Sequence, residues 1–101
     1  MNKQIQTELE AAVFRRLVSH LQQHTEVQNI DIMILADFCR NCLAKWVVVA
    51  ATEQGIGMDY EKARELVYGM PYSEWKDKFQ IEATAGQLAA YARKQDMKEG
   101  N

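Results

Sequence analysis

The sequence predicts an all-α fold, a small bundle of four or five helices around a central buried helix at about residues 31–54. Three observations predict it. Apolar residues recur at helical spacing through most of the chain. Capping residues, glycines and a proline fall where those periodic stretches end. The one β-rich run, Trp46–Val49, lies inside a helical pattern that continues on both sides. The 101 residues fit a single domain, 1–101, whose ends (about 1–5 and 97–101) are expected to fray.

From about Gln6 to His24, Leu9, Val13, Phe14, Leu17, Val18 and Leu21 share one helix face, opposite Glu8, Arg15, Arg16, Ser19, Gln22 and Gln23. Thr25–Ile30 lacks periodicity and connects to the central helix, for which Asn29 or Asp31 is the N-cap. Within that helix, Leu35, Cys39, Cys42, Trp46, Val49 and Ala50 form one stripe. Asp37, Asn41 and Lys45, with Arg40 at the edge, form a narrow polar strip opposite, interrupted by Ile34, Ala44 and Val48. A helix apolar on nearly every side is expected to be buried among others. Gly55 stops it. Asp59 then caps a helix that turns Ala63, Leu66 and Val67 inward, and Gly69 with Pro71 ends it. Pro71 opens a helix bearing Tyr72, Trp75 and Phe79 on one face. Thr84 and Gln87 have capping-box spacing before a last helix with Leu88, Tyr91 and Ala92 together.

Composition narrows the function. With 48% hydrophobic residues the chain can build a core, but a thin one that a second copy would complete. Lys and Arg number 12 against 14 Asp and Glu, a net charge of -2, which argues against nucleic acid and anionic membranes as partners. No apolar run approaches the roughly 20 residues of a membrane span, and the polar start Met1-Asn2-Lys3-Gln4 is unlike a signal peptide. A soluble, cytoplasmic protein is expected, with its two cysteines as thiols.

The chemistry-bearing residues are few. His20, His24, Cys39 and Cys42 are borderline-to-soft ligands of the kind zinc takes. In a helical hairpin turning near residues 25–30, however, His24 lies at the turn and His20 about 6 Å below it, with Cys39 and Cys42 about 12 and 16 Å below. The set worth examining for metal or thiol chemistry is therefore His20, Cys39 and Cys42. A redox pair would need its nucleophile at a helix N-terminus, whereas a continuous central helix puts Cys39 about two turns inside. Packing is the favoured reading of both cysteines, and no cofactor is expected. The strip Asp37, Arg40, Asn41 and Lys45 either meets solvent or forms a polar contact with a partner. Tyr68, Tyr72, Trp75 and Phe79 read as core plus interface, with Tyr68, Tyr72 and Trp75 as a candidate aromatic interface. There is no paired-carboxylate, Ser/His/Asp or phosphate-loop pattern, so catalysis is not expected.

Val27-Gln28-Asn29-Ile30-Asp31, Phe38-Cys39-Arg40-Asn41-Cys42-Leu43, Val67-Tyr68-Gly69-Met70-Pro71-Tyr72 and Glu74-Trp75-Lys76 resemble the domain of unknown function 1244 family, found mainly in proteobacteria. The resemblance runs from about Ala12 to Thr84. It implies an all-helical single domain and supplies no substrate, cofactor or catalytic residue. The chain departs from that pattern at Ile34 and Asp37, where a polar and a small residue are expected. His20 belongs to the pattern and His24 does not. Two functions follow as expectations: a protein-interaction module, most simply a homodimer, or a metal- or thiol-dependent protein centred on His20, Cys39 and Cys42.

Overall fold

A computed structural model describes residues 1–99, with Gly100 and Asn101 outside the described residues. Its elements are six helices: α1 Lys3–Gln23, α2 Asn29–Ala36, α3 Arg40–Glu53, α4 Tyr60–Tyr68, α5 Tyr72–Phe79 and α6 Ala85–Glu99. The all-α bundle is thus as the sequence predicts. α3 packs most extensively on α4, which also receives α1 and α5, while α6 lies against α2. The core between α3 and α4 is built on Leu43, Ala44, Ala63 and Val67, enclosed by Leu21, Phe38, Val47 and Met58. Alanines at 44 and 63 are wholly buried; their small side chains let the two helix backbones approach closely.

Most caps form where the residue types call for them; at α2 the N-cap is Gln28, not Asn29 or Asp31, and Asp31 accepts the Gln28 N–H at 3.1 Å from inside the first turn. Asp59 accepts the Lys62 N–H at 2.7 Å and opens α4. Gly69 closes α4 in the left-handed region at φ 76°, and Pro71 precedes α5. Thr84 and Gln87 exchange reciprocal bonds of 2.8 and 3.0 Å at the start of α6. α1 begins at Lys3, held by the Asn2 side chain, which accepts the Ile5 N–H.

One expectation is corrected. The stretch 31–54 is two helices, broken at Asp37–Cys39. Asp37 ends α2 in the left-handed conformation (φ 64°, ψ 28°), its N–H bonded to Met33 O at 3.0 Å. Cys39 is extended and starts α3. In an unbroken helix, residues 29 and 40 would stand about 16 Å apart along the axis. Here the Arg40 N–H meets Asn29 Oδ1 at 3.4 Å. The chain breaks so that Arg40 can return to the start of α2, and tertiary bonds outweigh local helix propensity. Part of the stripe expected inside lies at the surface: Leu35 is 82% exposed, Trp46 56% and Val49 54%, while Cys39 is buried and Cys42 half-buried.

A left-handed aspartate carries a backbone cost of roughly 1–2 kcal/mol. Its carboxylate pairs with Lys98 at 3.2 Å on a half-exposed surface, a contact of about 0–1 kcal/mol. Asp37→Gly is therefore expected to stabilise the protein by about 0.5–1 kcal/mol, visible as a rise of several degrees in Tm. A fall in Tm would mean that the Lys98 contact outweighs the backbone relief.

Candidate functional site

The site forms where the start of α3 meets the α1–α2 connection. That connection leaves carbonyls without helix partners, and the Arg40 fork satisfies them. Its Nη1 donates to Val27 O at 2.8 Å and Asn29 Oδ1 at 3.0 Å, and Nη2 donates to His24 O at 3.0 Å. The guanidinium lies over the Trp75 ring, 4.8 Å from its centroid. Arg40 is 1% exposed, so burial lowers its pKa, yet a guanidinium stays charged. The charge is balanced by carbonyl dipoles and a π face.

A neutral chain of side chains continues the site. Asn29 Nδ2 donates to Tyr68 Oη at 2.9 Å, and Tyr68 Oη donates to Asn41 Oδ1 at 2.8 Å. Burial raises the pKa of the Tyr68 phenol well above its ordinary value, so it stays a donor. Gln28, also buried, donates from Nε2 to Phe79 O and accepts the Ile81 N–H at Oε1, both at 3.0 Å, tying the end of α5 to the start of α2. A cleft of about 280 Å³ opens beside these groups, lined by Gln28, Asn29, Asn41, Tyr72 and Gln80 among others. The side chains around it bond mainly to one another, which suits holding the junction together more than activating a substrate.

The break in the central helix relocates the cysteines. Cys39 is the N-cap of α3 and Cys42 lies in its first turn, not two turns inside a helix. Their sulfurs are 3.9 Å apart and both thiols are free. Cys39 is buried and Cys42 half-buried. Burial pushes the Cys39 thiol up, against the opposing pull of the Cys42 and Asn41 N–H groups near its sulfur; neither N–H makes a full capping bond. His20 instead faces His24, ring centroids 4.4 Å apart, and His24 Nδ1 pairs with Glu26 at 2.8 Å. Among the described residues, no three His, Cys, Asp or Glu side chains are grouped to hold a metal ion; His20 is not brought together with Cys39 and Cys42.

The polar strip is dispersed. Asp37 sits at the break, Arg40 and Asn41 turn inward, and Lys45 remains exposed. Tyr68, Tyr72 and Trp75 do cluster: Tyr68 is 5.2 Å from Tyr72 and 5.0 Å from Trp75, centroid to centroid. Tyr68 and Trp75 are buried and only Tyr72 reaches the cleft, so the group is core more than surface. Sequence reasoning missed Gln28 and Asn29 as internal tethers, because polar residues ahead of a helix read as caps.

Fold and site together define a small all-helical protein pinned by a buried arginine, with a dithiol at the same helix start. The chain belongs to the family described as "Protein of unknown function (DUF1244)", whose family model matches residues 27–93. That span holds α2 to α5, most of α6 and every member of the Arg40 network except His24, whereas α1 precedes it. No curated protein matches the chain.

Proposed function

We propose that the protein is a helical interaction module acting as a homodimer, paired through α1 and the groove beside α3. The observation that carries this is an unpartnered second face on α1. Phe14, Val18 and Leu21 turn toward the bundle, while Ile5 (47% exposed), Leu9 (50%), Val13 (67%) and Leu17 (37%) face out. These four are spaced by four residues, so they form one stripe. Next to it, Phe14, Leu43, Trp46, Val47 and Ala50 line an apolar groove of about 490 Å³.

Surface area supports the same reading. A compact monomer of 11.6 kDa exposes about 5,800 Å²; this chain exposes 7273 Å². The excess of about 1,400 Å² matches one partner's share of an obligate dimer interface. The radius of gyration, 15.7 Å, likewise exceeds the roughly 13 Å of a compact domain of this length. Charge favours antiparallel pairing of the two α1 helices. Centred on Val13, it places Leu9 against Leu17 of the partner subunit and Glu10 against Arg16 of the partner subunit. Free cysteines fit a reducing compartment, and the proposal places the protein in the cytoplasm.

Light scattering on size-fractionated protein tests this. Wild type is expected at twice the chain mass, and Val13→Glu at the chain mass with unchanged helicity. A monomeric wild type at micromolar concentration, or a Val13→Glu variant that remains dimeric, overturns the proposal.

A further inference from the structure

We infer that Cys39 and Cys42 are a reversible dithiol–disulfide couple, oxidised by low-molecular-weight disulfides of the glutathione type. The sulfurs already touch at 3.9 Å, and closing to a disulfide requires less than about 2 Å of further approach. The two residues differ in access in the way such a couple requires. Cys42 is half-buried and open to an incoming disulfide, whereas Cys39 is only 8% exposed, shielded from competing reagents but in contact with the Cys42 sulfur. Cys39 sits at the N-terminus of α3, where the N–H groups of Asn41 and Cys42 near its sulfur offset part of the burial that pushes its thiol up.

The reaction balances in two exchanges. Cys42 loses its proton to solvent, and its thiolate attacks one sulfur of glutathione disulfide. A Cys42–glutathione disulfide forms and one glutathione thiolate leaves. Cys39, deprotonated in turn, attacks the Cys42 sulfur; the Cys39–Cys42 bond forms and the second glutathione thiolate leaves. Two protein thiols are oxidised, one glutathione disulfide is reduced, and the two released protons convert the leaving thiolates to glutathione. The ring closed by this bond spans only Cys39 to Cys42, so it restrains little of the unfolded chain. That suits a bond made and broken more than a structural staple.

The test equilibrates the full-length protein in glutathione buffers of graded oxidation, followed by acid quench, alkylation of remaining thiols and intact-mass measurement. The expected product is a monomeric chain lighter by two hydrogens, with both thiols lost together and recovered on reduction. Cys39→Ser is expected to accumulate one glutathione on Cys42, and Cys42→Ser to resist glutathione while folded. Should a variant fail to fold, the wild-type mass series decides alone. Thiols that stay alkylatable through the oxidising buffers would falsify the inference, as would wild type that gives only glutathione adducts or inter-chain disulfides.

Discussion

Arg40→Ala is expected to cost about 4 kcal/mol, one of the two largest single-site losses in the molecule. The guanidinium satisfies the carbonyls of His24 and Val27 and the Asn29 side chain, and alanine leaves all three without that donor in a buried junction. Val27 O loses its hydrogen bond outright, at about 1–3 kcal/mol, while His24 O keeps the Val27 N–H and Asn29 Oδ1 keeps the backbone N–H of residue 40; the cavity left beside Trp75 adds the rest. Against a total stability of roughly 5–15 kcal/mol for a chain of this length, such a loss unfolds a large fraction of the protein under mild denaturant. Arg40→Lys keeps the charge but cannot span three acceptors or stack flat on Trp75, so about half the loss is expected. Urea unfolding followed by circular dichroism measures both. If Arg40→Ala shifted the midpoint by no more than an exposed-surface substitution does, the buried arginine would not be what holds α3 against α2.

Trp75→Ala is the second large effect, about 3–5 kcal/mol. Trp75 is 1% exposed and sits between Tyr68 and Phe79, with ring centroids 5.0 and 5.9 Å away, under the Arg40 guanidinium. Removing it leaves a cavity and strips the buried charge of its π face. Trp75→Phe keeps a ring below Arg40 and is expected to lose about half as much. Because the two side chains share one contact, the double variant Arg40→Ala/Trp75→Ala should lose at least 0.5 kcal/mol less than the two single losses combined. Strict additivity in that cycle would show that arginine and tryptophan act independently.

The first prediction concerns a residue that the sequence placed poorly, for an identifiable reason. Arg40 reads as the edge of a solvated strip only while residues 31–54 are taken as one helix. Nothing local marks the break: Ala36, Asp37 and Phe38 include no glycine or proline. The left-handed turn at Asp37 is imposed by bonds between Arg40 and residues far along the chain, and periodicity contains no such information. The small residue that the family resemblance implies at position 37 was the one available signal, since a left-handed position favours glycine. The same missed break hid the cysteine pair's place at a helix start.

The α4, α5 and α6 boundaries were legible because their causes are local. Asp59, Gly69, Pro71 and the Thr84–Gln87 pair act on backbone groups within a few residues, so residue type and spacing suffice to place them. Ala63, Leu66 and Val67 were likewise read as inward; Ala63 and Val67 are wholly buried, whereas Leu66 is 46% exposed.

What the sequence determined by itself was therefore the helical class, most helix ends and the inward placement of Ala63 and Val67 on α4, the ends set by interactions spanning about one helical turn. The tertiary structure alone decided the fold-back at Asp37, the burial of Arg40 between residues 24–29 and Trp75, the juxtaposition of Cys39 and Cys42 at an N-terminus, and the outward turn of Trp46 and Val49. The first two depend on groups 11 to 35 residues apart meeting a buried charge that cannot be left without acceptors, a requirement that appears only once the chain has folded.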